Sequence, residues 1–331
     1  MKKILTVIIP SYNTEEYIDE CLPTFLQESI VEDIEILIVN DGSKDGTLEV
    51  ASKYEKKFPH SVKVIDKENG GHGSTINRGI QEATGRFFKV IDGDDWVDTE
   101  KFVDFVKELH CLQDVDMILN PFSIVNDKTK EVSTVEYDCL DFRKTYEADY
   151  VYRMKNNIQM HSITYRTEIL KNNRIQLDEK MFYVDQEYNL FPIPYIKKII
   201  YLPQNIYQYR VFTENQSMNF KNLQKNREMH KKVFLSLNSY FEKNMKYVSD
   251  VKRDYFIRCM SNMGFLQILI YLSMEARKEN KQEVLEFIEI IKNINVNWEL
   301  ASSLIHFWKT LNFKFYRIFN TYVRIRMKKV I

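Results

Sequence analysis

The first 110 residues of this chain alternate short apolar runs with amphipathic stretches, and this alternation limits the possible folds more than any other feature. Four runs predict buried strands, and three stretches between them have helical spacing. Alternation at this length is typical of βαβ units, which form a parallel sheet with helices on both faces. We therefore predict an α/β fold with a mostly parallel sheet. The predicted strands cover residues 5–9, 34–39, 62–66 and 87–91, and the predicted helices cover residues 14–29, 46–58 and 74–84.

A polar segment follows each of the four predicted strands. The carboxyl ends of parallel strands meet at one edge of the sheet, where the ligands of open α/β sheets bind. The sequence therefore predicts one polar site built from four loops. These loops are Pro10-Ser11-Tyr12-Asn13, Asn40-Asp41-Gly42-Ser43, Asp66-Lys67-Glu68-Asn69 and Asp92-Gly93-Asp94-Asp95.

The loop after the fourth strand carries three carboxylates, and Gly93 lets the side chains of Asp92 and Asp94 point into one cleft. Two or three hard oxygen ligands suit Mg²⁺ or Mn²⁺ whose other positions are filled by a diphosphate and water. A second interpretation is a turn in which Asp94 or Asp95 caps a helix over residues 97–110. A calcium EF-hand is excluded, because the fifth and sixth loop positions lack an oxygen ligand and a glycine.

The segment Asn69-Gly70-Gly71-His72-Gly73-Ser74 is rich in glycine and leads into a predicted helix. Its backbone can therefore approach a diphosphate closely. It is neither a P-loop nor a dinucleotide-binding fingerprint, because its glycine spacing differs and no Lys-Ser or Lys-Thr pair follows. His72 is either a ligand or, as its loop context favours, a solvated side chain.

Length and charge indicate two unequal parts. At 331 residues, 44% of them hydrophobic, the chain is long enough for two cores. Residues 221–331 hold 21 Lys and Arg against 10 Asp and Glu, a balance of +11. Residues 1–220 hold the remaining 26 against 37, a balance of −11, so the formal net charge is 0. We predict a boundary near residue 220, with residues 221–331 helical and in contact with an anionic membrane or a second copy of the chain.

Cysteines and apolar runs give further expectations. The four cysteines are scattered without a Cys-x-x-Cys pair, which indicates reduced thiols in the cytoplasm. The apolar run at residues 4–9 is short and ends at Pro10, so it predicts the first strand and not a leader. No segment reaches the roughly 18 uncharged apolar residues that span a bilayer.

Taken in order, the loops resemble the family 2 glycosyltransferases of the GT-A fold. The resemblance is dense over residues 1–100 and looser as far as residue 218. It implies a Rossmann-like GT-A domain over residues 1–220 that binds a nucleotide sugar and catalyses its transfer. The matching segments are Val7-Ile8-Ile9-Pro10-Ser11-Tyr12-Asn13, Ile38-Val39-Asn40-Asp41-Gly42-Ser43-Lys44-Asp45-Gly46-Thr47, Glu68-Asn69-Gly70-Gly71, Asn77-Arg78-Gly79-Ile80, Ala83-Thr84-Gly85-Arg86 and Asp92-Gly93-Asp94-Asp95.

The resemblance assigns the donor site position by position. Pro10, Tyr12 and Asp41 would hold the nucleoside, usually uridine. Asp92 would contact the ribose, and Asp94, with Asp92 as a second ligand, would bind the Mg²⁺ or Mn²⁺ that bridges the diphosphate. The other implied nucleotide-sugar-binding positions are Asn13, Asn69, Gly70, Gly71, Arg78, Gly93 and Arg210.

Inverting sugar transfer requires a base that takes the proton from the acceptor hydroxyl. The family carries it in a Glu-Asp-like motif, which corresponds here to Phe182-Tyr183-Val184-Asp185-Gln186-Glu187-Tyr188. The resemblance makes Asp185 the base and Glu187 its reserve, and Asp185 also suits a helix N-cap. Ile76 stands where many relatives have a basic residue near the diphosphate, so Lys67, Arg78 or a later side chain would supply that charge.

The run Tyr207-Gln208-Tyr209-Arg210, followed by Asn215-Gln216-Ser217, resembles the segment that closes many non-processive members. Arg210 would close over the diphosphate or pair with a surface acid. The Gln-x-x-Arg-Trp motif and the membrane helices of processive synthases are missing, which favours the addition of single sugars.

The last 26 residues, 306–331, are basic and aromatic and contain no acid. This composition is typical of a helix that lies in an anionic membrane interface. The alternative is that the aromatic rings complete the helical core while the charges are solvated, and no nucleic-acid motif accompanies them. The cationic residues are Lys309, Lys314, Arg317, Arg324, Arg326, Lys328 and Lys329, and the aromatic ones are Phe307, Trp308, Phe313, Phe315, Tyr316, Phe319 and Tyr322.

These features together predict a metal-dependent, inverting hexosyltransferase. It would move a sugar from a UDP-sugar to a hydroxyl of a cell-surface glycan or a lipid-linked saccharide, in the synthesis of an envelope polysaccharide. We expect it in the cytoplasm, peripheral on the inner face of the cell membrane. The alternative is a nucleotide-sugar- or glycan-binding protein that keeps the fold without turnover.

Overall fold

The structure, a computed structural model, describes residues 3–212 and 219–327. Contacts within the chain divide it into two compact units, Met1–Glu214 and Asn215–Ile331. Two predictions fall partly outside the described residues: the closing segment at 215–217, and the last two cations of the basic tail, Lys328 and Lys329.

The first unit contains two sheets. In the described residues the larger sheet has the strand order β3-β2-β1-β4-β10-β6-β11-β9, and the smaller has the order β5-β12-β7-β8. The strands are β1 (Leu5–Ser11), β2 (Ile34–Asn40), β3 (Val62–Asp66), β4 (Phe87–Val90), β5 (Trp96–Val97), β6 (Met117–Leu119), β7 (Phe122–Asn126), β8 (Val132–Val135), β9 (Lys144–Glu147), β10 (Ile163–Arg166), β11 (Lys198–Tyr201) and β12 (Tyr207–Val211).

The predicted α/β sheet is confirmed. β1 pairs in parallel with both β2 and β4, and β2 pairs in parallel with β3. β10 and β9 run antiparallel to their neighbours, so the sheet is mostly but not wholly parallel. β1 and β4 are buried along their whole lengths, as expected for the central strands of a sheet with covered faces.

The first predicted helix is shorter than its apolar spacing indicated. The helices of this unit are α1 (Glu15–Cys21), α2 (Thr47–Lys57), α3 (His72–Glu82), α4 (Thr99–Leu109), α5 (Ala148–Tyr152), α6 (Thr167–Asn172) and α7 (Asp185–Leu190). The prediction of one helix over residues 14–29 was wrong, because Leu22–Thr24 forms a 3₁₀ turn that contains Pro23. Proline has no amide hydrogen and clashes with the preceding helical turn.

The second interpretation of the acidic loop, in which Asp94 or Asp95 caps the fourth helix, was wrong. The side chain of Asp98 caps α4 by accepting the amide hydrogen of Lys101 at 3.0 Å. The helix starts two residues later than predicted, because Trp96 and Val97 pair with β12 as strand β5. The acidic loop is therefore left between two strands.

The second unit is helical in its described residues. Its helices are α8 (Phe220–Lys225), α9 (Arg227–Asn244), α10 (Asp250–Ser273), α11 (Lys278–Lys292), α12 (Ser303–Thr310) and α13 (Tyr316–Met327). α10 packs against α8, α9, α11 and α13, so it forms the centre of this unit. Among the described residues α10 is the one helix long and apolar enough to cross a bilayer, but 72% of its apolar window is buried inside the protein. That burial is typical of a core helix.

Candidate active site

The carboxyl ends of β1, β2, β3 and β4 meet, as predicted, and backbone hydrogen bonds join their loops. The amide of Asp41 donates to the carbonyl of Ser11 at 2.9 Å, and the amide of Gly93 donates to the carbonyl of Pro10 at 3.1 Å. The first amide after β3 donates to the last carbonyl of β2 at 3.1 Å. The four polar loops therefore form one continuous edge.

The buried carboxylate of Asp41 holds the glycine-rich loop. Its Oδ1 accepts the amide hydrogen of Gly70 and its Oδ2 that of Gly71, each at 2.8 Å. The ammonium of Lys67 lies 2.6 Å from Oδ1. Gly71 has a φ of +79°, and a Cβ there would lie 3.1 Å from the backbone of Lys180, so the loop requires glycine at this position. Asp41 thus shapes the loop in addition to any contact with a nucleoside.

His72 is the first residue of α3, and it pairs with Asp92. Its Nε2 lies 2.8 Å from Oδ1 of that carboxylate. Burial lowers the pKa of His72, but the charges of Asp92, Asp185 and Asp94 outweigh it and raise that pKa above its ordinary value. Burial likewise opposes ionisation of Asp92, yet its pair with His72 lowers the pKa of Asp92. The interpretation of His72 as a solvated loop residue was wrong, because α3 begins at His72 and places its ring against the acidic loop.

The other two carboxylates of the acidic loop have different surroundings. Asp95 is buried, accepting the hydroxyl hydrogen of Tyr207 and the amide hydrogen of Arg210, each at 2.7 Å. Burial and the two neighbouring carboxylates raise the pKa of Asp95 well above its usual range. Asp94 makes no ion pair with any described residue, and burial and the charge of Asp92 raise the pKa of Asp94 to about 6. Asp95 fastens the loop to β12, whereas Asp94 keeps its carboxylate available.

One further group of possible metal ligands lies behind this loop. Ligand atoms of Asp92, Asp95 and His161 lie within 4.8 Å of one another. Both oxygens of Asp95 accept hydrogen bonds, and burial lowers the pKa of His161 to about 4, which keeps its imidazole neutral, the form that can ligate a metal. The ring of His161 packs between aromatic side chains. Asp92 belongs both to this group and to the acidic loop, where the neighbouring carboxylate of Asp94 has no ion-pair partner among the described residues.

Arg210 pairs with acids, which is one of the two outcomes that the sequence left open. Its guanidinium lies 2.6 Å from Glu20 and 2.9 Å from Asp127, and its Nε donates to the carbonyl of Asp94 at 2.8 Å. The same group lies over the ring of Trp96, 4.6 Å from its centre. Burial opposes the charge, but the two acids raise the pKa of Arg210 above its ordinary value. Arg210, on β12 of the smaller sheet, therefore holds the acidic loop in place.

The segment that carries Asp185 is anchored to α3. The side chain of Asn77 exchanges two hydrogen bonds with the backbone of Leu177, at 2.9 and 2.8 Å. Glu187 is fully buried and accepts the amide hydrogen of Asp178 at 2.7 Å, so it fastens the same segment and is not exposed to an acceptor. Asp185 is not the N-cap of α7, since the helix begins with it and the preceding residue stands at the cap position. Burial raises the pKa of Asp185, and its charge in turn raises the pKa of His72.

The chain was also compared with models of known protein families. Residues 6–177 match the model of Glycosyl transferase family 2. The chain belongs to glycosyltransferase family 2.

Curated relatives of this family 2 chain come from several bacteria. The chain is 27% identical over 221 residues to the uncharacterized glycosyltransferase EpsJ of Bacillus subtilis, covering 63% of this chain and 62% of EpsJ. It is 28% identical over 222 residues to the poly(ribitol-phosphate) β-N-acetylglucosaminyltransferase TarS of Staphylococcus aureus, covering 64% of this chain and 36% of TarS. The chain thus spans less than two thirds of the length of either relative.

Solved structures confirm the GT-A-like fold. The S. aureus TarS 1–349 structure in complex with UDP-GlcNAc aligns with a TM-score of 0.60 at 19% identity, covering 98% of this chain and 90% of that one. The mannosyltransferase PcManGT from Pyrobaculum calidifontis, in complex with GDP-Man and Mn²⁺, aligns with a TM-score of 0.54 at 14% identity, covering 98% and 88%.

Several residues that the family resemblance assigned to the donor lie at the loop edge, and one does not join it. Tyr12 is exposed, and the amide of Asn13 donates to the hydroxyl of Ser43 at 2.9 Å. The side chain of Asn69 donates to the carbonyl that follows β2, at 2.9 Å. The guanidinium of Arg78 is exposed and lies 2.8 Å from Glu82 on the same helix, so no described contact brings it to the acidic loop.

Two residues that shape the site were given no role of their own from the sequence. The hydroxyl of Tyr207 contacts the acidic loop at Asp95 and at the amide of Asp92, the latter at 3.2 Å. Its run was predicted only as part of a closing segment, because its partners lie more than 100 positions away in the chain. Lys89 is fully buried in β4 and donates to the carbonyls of His161 at 2.9 Å and Ile163 at 3.1 Å. No local signal identifies a lysine that bridges two strands.

Proposed function

We propose that this family 2 glycosyltransferase moves a sugar from a UDP-sugar to an acceptor hydroxyl with inversion at the anomeric carbon. The observation that carries the proposal is the position of Asp185, a partly exposed carboxylate. Asn77 of α3 holds its segment, and the Lys180 amide of that segment donates to the carbonyl of Gly70 in the glycine-rich loop, at 2.5 Å. A carboxylate with a raised pKa next to the donor site suits the base of this reaction.

In the proposed reaction the acceptor oxygen forms a bond to the anomeric carbon while Asp185 takes the acceptor's proton. The bond between that carbon and the β-phosphate oxygen breaks, and UDP leaves with the electron pair. Pro10, Tyr12 and Asp41 hold the nucleoside, and Asp92 lies on the ribose side. Residues 1–220 thus carry both the donor site and the base.

The donor set of the acidic loop fits a divalent cation. Asp94 and Asp92 offer hard oxygen ligands, and the mutual repulsion of these carboxylates favours a bound cation. Asp94 and Asp92 would hold Mg²⁺ or Mn²⁺, which would neutralise the diphosphate as it leaves. The PcManGT complex with GDP-Man and Mn²⁺ supports this assignment.

The relatives support a UDP-sugar and an envelope polymer as the two substrates. TarS was solved with UDP-GlcNAc, and its name gives poly(ribitol phosphate) as the acceptor. We extend this to a hydroxyl of a cell-surface glycan or a lipid-linked saccharide. A lipid-linked acceptor would place the protein on the inner face of the cell membrane.

A nucleotide-sugar-binding protein without turnover is the second candidate. It is favoured because positive charge expected beside the diphosphate is missing or already paired with acids. Ile76 is fully buried at the position of the usual basic residue, and Arg210 is engaged by Glu20 and Asp127. His72 pairs with a carboxylate of the acidic loop, whereas the guanidinium of Arg210 meets that loop at the carbonyl of Asp94.

The test measures UDP binding and UDP release from a panel of UDP-sugars without an acceptor, with Mn²⁺ and with EDTA. Metal-dependent release from one sugar supports the transferase and identifies its donor. UDP binding without release from any sugar, even with a membrane extract as acceptor, favours the binding protein. Absence of UDP binding under both conditions contradicts both candidates.

A further inference from the structure

The basic tail divides into a buried and an exposed apolar face, which its composition did not reveal. Trp308, Phe319 and Val323 are at most 4% exposed and pack into the helical unit. Ile318, Tyr322 and Ile325 are 66%, 44% and 56% exposed. Their i, i+4, i+7 spacing places them on one side of α13, because a helix repeats every 3.6 residues. The tail therefore completes the core with one set of side chains and presents a second set to the solvent.

One more aromatic ring extends this exposed face. Phe315, just before α13, is 60% exposed. Phe315 and Ile318 also line a cavity of about 490 Å³ at the start of α13. We call this set the α13 face, and it consists of Phe315, Ile318, Tyr322 and Ile325. Exposed apolar side chains grouped in this way mark a contact surface.

Cationic side chains lie beside the α13 face. Arg317 lines the cavity together with Lys278 and Lys281 of α11, and none of the three makes an ion pair with a described residue. Arg324 lies on α13 itself, and the guanidinium of Arg326 lies 5.4 Å from the ring centre of Tyr322. Residues 306–327 contain no acid. The end of the surface beside the cavity therefore carries cations that the described residues leave unpaired, while the acids of this region lie on α11.

We propose that the α13 face docks on an anionic phospholipid bilayer. Isoleucine side chains would enter the acyl boundary, the aromatic rings would lie at headgroup depth, and the cations beside the cavity would contact lipid phosphates. A second copy of the chain fits less well, since a two-fold interface would set the acid-free, cationic α13 against its own copy. This surface refines the location given by the proposed function, but binding to vesicles requires neither donor nor turnover.

The experiment is co-sedimentation of the full chain with vesicles of phosphatidylcholine alone and of equal parts phosphatidylcholine and phosphatidylglycerol. The wild-type chain should sediment with the anionic vesicles only, and less as salt is raised, because salt screens exposed charges. Ile318→Ser/Ile325→Ser should reduce partitioning at least about tenfold, since two buried side chains are removed from the lipid contact. Lys281→Gln/Arg317→Gln tests the cations beside the cavity with the apolar side chains intact and should also weaken binding.

The matched control is Tyr247→Ser, because Tyr247 is 99% exposed in the same unit and lies outside the α13 face. This variant should bind like wild type. Equal binding of wild type to both vesicle types, or wild-type binding by both double variants, overturns the proposal. A wild-type dimer that Ile318→Ser/Ile325→Ser converts to a monomer, without vesicle binding, also overturns it in favour of a second copy. UDP release by the soluble variants stays a separate readout of the proposed function.

Discussion

Nε2 of His72 lies 2.8 Å from Oδ1 of Asp92, and this contact joins the glycine-rich loop to the acidic loop. Both loops follow strands of the same sheet, so the pair holds these two loops next to each other. His72 stands one helical turn before the buried Ile76, on the same side of α3. A cationic or hydrogen-bonding group is thus present one turn away from the position that family members usually fill with a basic residue.

We expect His72→Ala to lower transfer about 10- to 100-fold, as loss of a group that orients a ligand-binding carboxylate typically does. His72→Gln should recover most of this loss, because its amide can still donate to Asp92. Donor KM and kcat with UDP-sugar measure the effect, and the KM for donor should rise most in His72→Ala. The control is His110→Ala, since His110 forms a comparable surface pair with Asp33 at 3.3 Å. Equal kinetics of the two alanine variants would contradict a role for His72.

Asp94 is the carboxylate that the structure leaves available, whereas Asp98, four positions later, is only a helix cap. We expect Asp94→Asn to weaken Mn²⁺-dependent UDP binding at least about tenfold, because a neutral amide is a poor ligand for a hard cation. Asp98→Asn should leave binding and melting temperature unchanged, since Asn caps helices as well as Asp does. Titration calorimetry with UDP, with and without Mn²⁺, gives the answer. Retained metal-dependent binding in Asp94→Asn would move the metal site elsewhere.

Asp185 and Glu187 are two residues apart but differ in burial. Substitutions at the two positions are therefore expected to have different effects. Asp185→Asn should lower transfer about 10²- to 10⁴-fold and keep UDP affinity, because the base is lost while the donor contacts remain. Glu187→Gln should lower the melting temperature and retain measurable turnover, since the buried Glu187 holds the amide of Asp178. Steady-state transfer assays and thermal unfolding of both variants separate the roles. Unchanged transfer by Asp185→Asn rejects Asp185 as the base.

Gly73 in α3 is predicted to be intolerant of even a methyl group. A Cβ at this position would lie 2.1 Å from the carbonyl oxygen of Asp178, a backbone atom in the segment that leads to Asp185. We expect Gly73→Ala to destabilise the protein by about 1–3 kcal/mol, although alanine is the better helix former. Gly264→Ala is the matched control in α10, because its Cβ would meet only the ring of Phe234, at 3.0 Å. Urea unfolding that ranks the two variants in the opposite order would refute the close approach.

The buried His230 is expected to make the stability of the second unit sensitive to acid. It is buried with its Nδ1 2.6 Å from Gln267, and burial lowers its pKa from 6.5 to about 4. In the unfolded chain His230 binds a proton near pH 6.5, so the stability it contributes is complete above that pH and is lost as pH falls towards 4. The shift corresponds to a loss on the order of 3 kcal/mol.

We expect His230→Gln, which cannot titrate, to lose less stability than wild type between pH 6.5 and 4. Trp298 and Trp308 lie in this unit and Trp96 in the other, so fluorescence in a Trp96→Phe background follows unfolding of the second unit, and urea titrations at several pH values give the free energies. Parallel pH dependence in the two proteins would show that other groups cause the acid sensitivity.

The amino-acid sequence by itself determined the central strands, the four polar loops and the chemistry of their side chains. Buried strands and amphipathic helices leave a short-range period in the sequence, and a parallel sheet brings the strand ends together wherever that period alternates. The strand Val62–Asp66 has the predicted limits for this reason, and the acidic loop follows β4 as expected.

Only the tertiary structure decided what each of those side chains does. Asp94 and Asp95 are neighbours of the same type. Only Asp95, however, forms a buried hydrogen bond with Tyr207, which lies more than 100 positions away. Glu187 is buried and Asp185 is partly exposed because α3 holds the segment before them. The tail likewise divides by packing, which buries Trp308 and leaves Ile318 exposed. These outcomes depend on contacts between distant elements, and no short-range pattern in the chain encodes which of two similar residues will find a partner.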